Sequence, residues 1–171
     1  TARTRAERFF SSPSILLEKY VPSARHIEVQ ILGLADGTVV ALGERDCSVQ
    51  RRHQKVAEES PSPAVTPEIR AATLEAAVKA GQAVDYRNAG TVEMLFDTST
   101  GDAWFLEMNT RLQVEHPVTE AVTGLDLVAE QLRIASGEAP SFDPANPPSA
   151  NGHAIELRVY AEDPKRFLPG P

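Results

Sequence analysis

TVEMLFDTSTGDAWFLEMNTRLQVEHP, from Thr91 to Pro117, reads as two short strands around a tight polar loop, followed by an extended tail dense in functional side chains. Side chains alternate between faces along a strand. Thr91, Glu93 and Leu95 therefore share one face of the first strand, and Phe105, Glu107 and Asn109 share a face of the second. With Thr98 to Asp102 as the loop, Asp97 pairs with Ala103, and counting back sets Glu93 opposite Glu107. Like charges directly opposed on a sheet are destabilising. A cation between them, with Asn109 two residues along, removes the conflict. Mg2+ suits such a set, since it is held by one or two carboxylates with water and substrate phosphates completing its shell. The other face, Val92, Met94 and Phe96 with Trp104, Leu106 and Met108, is apolar and is expected to fasten the hairpin to a core. The competing reading is an ordinary hairpin with a solvated polar face. The tail weighs against it: Arg111, Gln113, Glu115 and His116 follow within a few residues, a mixture that a solvated loop does not need.

Upstream, Thr66 followed by Pro67 and Glu68 predicts a capped helix running through the Ala-rich stretch to Ala83, packed on a sheet. Before it, Glu44 to Ser60 crowds Arg45, Arg51, Arg52 and Lys55 around Asp46. Guanidinium forks and an ammonium suit phosphate or carboxylate oxygens, so this segment is expected to be either a small anion site or a charged surface loop. His26 to Leu32 alternates, with His26, Glu28 and Gln30 on one face, and Ala35-Asp36-Gly37 turns it into a second strand at Thr38 to Leu42. Ile15 to Val21 is read as a further strand, and Thr1 to Phe10 as the tail of a helix with no cap signal.

Downstream, Val118 to Thr123 is read as a short helical turn, and Asp126 caps a longer helix to about Ala135. Ala139 to Asn151 is a Pro-rich linker. His153 to Tyr160 alternates as a strand, with Glu156 and Arg158 on one face. With nothing after it to pair with, that strand is expected to open a second domain of a longer protein.

At 171 residues the chain is long enough for one domain with a real core. Its formal charge of −7 argues against general nucleic-acid binding, which needs a basic surface. No run approaches the roughly 18 apolar residues of a membrane span. The single cysteine, Cys47, excludes an internal disulfide framework and suits a reducing cytoplasm. No dinucleotide or phosphate-loop glycine motif, zinc spacing or nucleophile elbow occurs.

Four long strings, Glu44 to Pro63 (ERDCSVQRRHQKVAEESPSP), Glu107 to Glu120 (EMNTRLQVEHPVTE), Glu130 to Gly137 (EQLRIASG) and Gly152 to Pro164 (GHAIELRVYAEDP), together closely resemble biotin carboxylase. The resemblance runs from Glu18-Lys19-Tyr20 to the end. It implies an α+β fold: the C-terminal lobe of an ATP-grasp fold over residues 1–138, the linker 139–151, and the first strand of the biotin carboxylase C-terminal domain over 152–171. It also implies a cytoplasmic ligase that carboxylates biotin on a carrier protein, using ATP, bicarbonate and Mg2+ or Mn2+. Its partners would be the biotin carboxyl carrier protein or domain and a carboxyltransferase subunit, with the whole enzyme a homo-oligomer.

Residue by residue, Glu93, Glu107 and Asn109 match the family's metal ligands. Glu115 matches the general base toward bicarbonate, with Arg111, Gln113 and the backbone of Val114 holding that anion and Lys55 beside it. Arg158 matches the residue that stabilises the biotin enolate. Glu18, Lys19, Tyr20 and Val21 match the adenine hinge, where members often carry Leu at the position of Val21. His26, Gln50 and His53 match positions around ribose and phosphates. Arg45 and Arg52 receive no catalytic role, and Cys47 is expected to be a buried filler. The family's glycine-rich lid and gripping lysines belong to sequence upstream of this stretch, so the chain by itself is expected to be inactive. Two alternatives stand beside this reading: another ATP-grasp ligase that activates a carboxylate, or a non-catalytic, self-associating module.

Overall fold

In the computed structural model, which describes residues 1–163, six antiparallel strands form one sheet in the order β5-β4-β1-β2-β3-β6. They are β1 (Ala24–Gly33), β2 (Val39–Arg51), β3 (Gln54–Ser60), β4 (Asn88–Asp97), β5 (Ala103–Asn109) and β6 (Ala154–Leu157). The helices are α1 (Ala2–Phe10), α2 (Pro67–Ala83), α3 (His116–Thr123) and α4 (Leu127–Ala135). An antiparallel sheet flanked by helices is the expected α+β class. None of the described helices is long and apolar enough to cross a membrane.

The alternation of β1 sorts the two faces. Val29 and Ile31 pack with Val39, Val92, Met94 and Ala77 beneath α2. Leu32 on the opposite face joins Leu34, Val40, Leu42, Leu127 and Ile134 beneath α4. His26, Glu28 and Gln30 lie on that second face, beyond the end of the apolar cluster. The α2 side is thus apolar along β1 and β4 but carries buried Glu44 and Asp46 of β2, paired with Arg70 and Arg25, and the other side is apolar at one end and polar at the other. Asp126 caps α4 through the Ala129 N–H, as its position predicts, and Thr66 caps α2 through the Ile69 N–H. Gly81 lets α2 approach β1 and β2, since a Cβ there would stand only 3.0 Å from Ile31 and Val39.

Several expectations are corrected. Thr1 does cap α1, accepting from the Thr4 N–H. Ile15 to Val21 is not a strand: Leu16 and Leu17 are exposed, and no neighbouring strand takes up the segment's backbone groups. Glu44 to Ser60 is no loop but most of the β2–β3 hairpin. Its charges hid the pattern because several of them, Arg45, Glu44, Asp46 and Glu58, are buried. α3 begins at His116, ahead of Val118. The last strand does have a partner, pairing with β3 as Glu58 opposite Glu156.

The β4–β5 register differs in an instructive way. Phe96, not Asp97, pairs with Ala103, but a bulge at Leu106 absorbs the offset and restores Glu93 opposite Glu107. Phe105 therefore falls on the α2 face beside Met94 and Ala76, while Leu106 and Glu107 both line the polar face. Trp104 likewise faces away from the α2 core, with the Lys19 ammonium 5.5 Å from its ring.

Candidate active site

Strand pairing lays acidic residues in a row across the polar face. Glu107 on β5 pairs with Glu93 on β4, which pairs with Glu28 on β1, which pairs with Arg45 on β2. Neighbouring strands stand about 4.8 Å apart, so three carboxylates are brought together at close range. Two cations from the β2–β3 hairpin hold them. Arg45, wholly buried, donates to Glu28 Oε1 (2.5 Å), Gln30 Oε1 (2.8 Å), Thr119 Oγ1 (2.9 Å) and Thr91 Oγ1 (3.1 Å). Lys55 Nζ donates to Glu28 Oε2 (2.5 Å), Glu115 Oε1 (2.6 Å) and Glu93 Oε1 (2.8 Å). Burial works against the Lys55 ammonium, but Glu28 and Glu115 outweigh it and hold the proton above the ordinary lysine range.

The tail after β5 folds back over this row because its side chains bond to it. Gln113 Nε2 donates to Glu93 Oε1 (2.9 Å), and Gln113 Oε1 accepts from Arg45 (3.3 Å). This sets Glu115 at the head of α3, buried, between Lys55 and Arg158. Burial raises the Glu115 carboxyl, but Lys55, its own backbone N–H and Arg45 bring it below the usual range, so it is ionised at neutral pH. Glu93 is likewise pushed up by burial and drawn further down by His26, Lys55 and Gln113.

Asn109 Nδ2 donates to Glu93 Oε1 (3.0 Å) and Glu107 Oε1 (3.2 Å), drawing together the three residues matched as metal ligands. The set fits a hard divalent ion. It offers two carboxylates and an amide oxygen from adjacent strands, and the amide can present either end by rotation.

A cleft of about 730 Å³ opens over the row. Its wall includes the expected Lys55, Arg111, Gln113, Val114, Glu115 and Arg158 together with Glu93, Glu107 and Asn109. Lys19, Tyr20, Val21, His26, Gln50 and His53 also line it; Glu18, exposed, does not. His26 Nδ1 meets Gln50 Nε2 at 3.0 Å, and His26 Nε2 lies 2.7 Å from Glu93 Oε2. Arg158 reaches in from beyond β6, donating to Glu58 Oε1 (2.6 Å) and Glu115 Oε2 (2.8 Å).

The basic cluster read as one anion site is dispersed. Only Lys55 enters the cleft; Arg45 lies beneath it, and Arg51 pairs with Glu162 at 3.1 Å. Cys47 is buried as expected, and burial, then Glu28, keeps its thiol far above the usual range. Glu28 and Glu58, which no motif singled out, prove central. The signal for Glu28 was its place between His26 and Gln30 on one face of β1.

This arrangement of convergent carboxylates, a half-buried lysine and an open cleft coincides with a family match: residues 1–141 match the carbamoyl-phosphate synthase L chain, ATP binding domain. The chain belongs to that family. Among its relatives, biotin carboxylase 2 of Bacillus subtilis is 57% identical over 169 residues, covering 99% of this chain and 38% of that protein. A Campylobacter jejuni biotin carboxylase, crystallised as a beta-gamma-ATP complex, superposes with a TM-score of 0.90 at 46% identity, over 98% of this chain and 37% of that one. The biotin carboxylase domain dimer of Hydrogenobacter thermophilus 2-oxoglutarate carboxylase, solved with MgADP, ADP and bicarbonate, gives 0.88 at 48% identity, over 98% and 37%. These neighbours bear out the expected ATP-grasp lobe. The chain spans well under half the length of each.

Proposed function

We propose that the whole protein carboxylates biotin on a carrier protein or domain with ATP and bicarbonate, and that this chain contributes the metal- and bicarbonate-binding half of the site. The observation that carries the reading is Lys55, bonded at once to Glu93 and Glu115, which ties the candidate metal ligands to the candidate base inside one cleft. Glu93, Glu107 and Asn109 would hold the divalent ion, which supplies charge neutralisation to the nucleotide phosphates when bound. Glu115, ionised and fixed by Arg158 and Lys55, takes the proton from bicarbonate, whose oxygen then attacks the γ-phosphate and displaces ADP. Lys55 and Arg111 offset the charge that accumulates on the transferring group. The carboxyphosphate breaks down to CO2 and phosphate, the phosphate takes the ureido proton of biotin, and Arg158 stabilises the enolate so formed, which captures the CO2. Lys19, Tyr20, Val21, His26, Gln50 and His53 line the nucleotide end, with Glu18 in the adjoining hinge. Residues 1–138 form the ATP-grasp lobe, 139–151 a connection, and 152–171 the start of the next domain. A carboxyltransferase takes the carboxybiotin onward, and the whole enzyme is a homo-oligomer.

In the whole protein, Glu107→Gln is expected to lower bicarbonate-dependent ATP cleavage by about 100-fold at saturating ATP. Unchanged turnover would remove the metal assignment. The 171-residue chain alone is expected to show no bicarbonate-dependent ATP hydrolysis with free biotin. A self-associating state of this chain is favoured by the exposure of Phe10, Leu16, Leu17 and Tyr20, and sedimentation of the chain at increasing concentration tests it.

A further inference from the structure

Arg158 is held in part by Glu58, one of a pair of opposed acids that the reaction above does not use. Glu58 on β3 and Glu156 on β6 are directly opposed across an antiparallel ladder. Their side chains therefore leave the same face, with Cβ atoms about 5 Å apart. Glu58 is fully buried. One carboxyl oxygen of each, Glu58 Oε2 and Glu156 Oε2, is buried with no hydrogen-bond partner among the described residues. Two carboxylates so placed repel, and an unsatisfied buried oxygen is costly.

The surrounding charges do not relieve them. Arg158 already serves Glu58 and Glu115. From α3, Glu115 and His116 face the pair, and from β1, Glu28 does. Among the described residues no cation is bonded to Glu156. A single proton between the two acids would satisfy both orphan oxygens and remove one negative charge. Burial, reinforced for Glu156 by Glu58 itself, moves both carboxyls above their ordinary range.

We propose that Glu58 and Glu156 share one proton and that this neutral-plus-anionic pair is the positioning element for Arg158. This rests on the reading of Arg158 as the group that meets biotin. With one proton, the pair carries a single negative charge, and Arg158 is divided between it and Glu115. When the proton leaves, the doubly charged pair draws the guanidinium back toward the β3–β6 ladder and away from the cleft.

Infrared titration of this chain with 13C-labelled glutamate tests the shared proton without ATP, biotin or turnover. A protonated-carboxyl stretch is expected to persist to higher pH than in an ordinary glutamate of pKa about 4.3, and to vanish in both Glu58→Gln and Glu156→Gln. No such band in the wild-type chain, or a band untouched by both variants, would overturn the pairing, and the wild-type measurement decides even if a variant fails to fold. The positioning role is read in the whole protein from the pH profile of kcat/KM for biotin. Wild type is expected to decline as the pair ionises. Glu156→Gln, which keeps a neutral hydrogen-bond donor at every pH, is expected to abolish that decline and leave KM for ATP unchanged. Glu58→Gln, which removes the anion that Arg158 needs, should lower kcat/KM for biotin by about 100-fold. An identical decline in Glu156→Gln would refute the positioning role even with the infrared band present. A whole protein inactive toward biotin would instead refute the proposed function and leave the infrared result standing.

Discussion

Arg45 and Lys55 differ by ten positions and by role, and only their surroundings tell them apart. Arg45 is sealed under the row of acids, with every bond directed to a neighbouring side chain, whereas Lys55 reaches the cleft. Removing the buried guanidinium strands Glu28 without a full complement of donors. Arg45→Met is therefore expected to cost about 3–5 kcal/mol, seen as a lower denaturant midpoint at unchanged slope. A loss of under 1 kcal/mol would mean that Glu28 is otherwise satisfied. The tail proposed to meet substrate was legible because Arg111 to His116 is denser in functional side chains than a solvated loop needs. Glu28 and Glu58 were not, because a single acid in an alternating strand looks the same in sequence whether it faces water or a buried arginine.

Among the elements, the β2–β3 hairpin was the least legible. Its corner, Arg52-His53, has positive φ at both residues (53° and 65°). Two-residue hairpins of that kind favour Asn-Gly or Gly-Gly, so an Arg-His corner gives no turn signal. His53, placed by that backbone, lines the cleft, in keeping with the tendency of such positions to occur at functional sites. The central hairpin was legible in outline but shifted by one at its loop end. The bulge at Leu106 made the expected opposition of Glu93 and Glu107 correct while moving Phe105 to the other face. A bulge leaves no mark in composition. Gly33 gives the sharpest element-scale prediction. A Cβ there would lie 2.0 Å from the Tyr86 carbonyl oxygen, backbone against backbone where β1 meets β4. Gly33→Ala is expected to destabilise the chain by about 3 kcal/mol, and a thermal midpoint within a degree of wild type would contradict it.

For the molecule as a whole, two sets of acids pull stability in opposite directions as pH changes. Glu93 and Glu115 are lowered in the folded state, so their contribution is present above the ordinary glutamate range and lost as pH falls through the folded values. Glu58 and Glu156 are raised, so the fold binds their proton more tightly than the unfolded chain does, and stability declines as pH rises through their folded range. Denaturation of Glu156→Gln across pH should show the decline with rising pH reduced, and Glu93→Gln should show a shallower acid limb; parallel curves for variant and wild type would contradict either. The α+β class followed from the resemblance to a known family and the cap at Thr1 was missed, whereas the caps Thr66 and Asp126 could be read from local pattern. The meeting of β6 with β3 could not, because about a hundred residues separate Glu58 from Glu156 and no local signal spans that distance.

That distant pairing has a practical corollary for anyone trimming this protein. Among the described residues, β6 is what covers the outer rim of β3, so a chain shortened before Ala154 would lose Arg158 and also leave a bare row of amide and carbonyl groups beside Lys55. Bare rims of that kind recruit strands from other molecules. Precipitation of such a shortened chain would therefore report an uncovered sheet margin, and would say nothing about whether its cleft can hold a nucleotide.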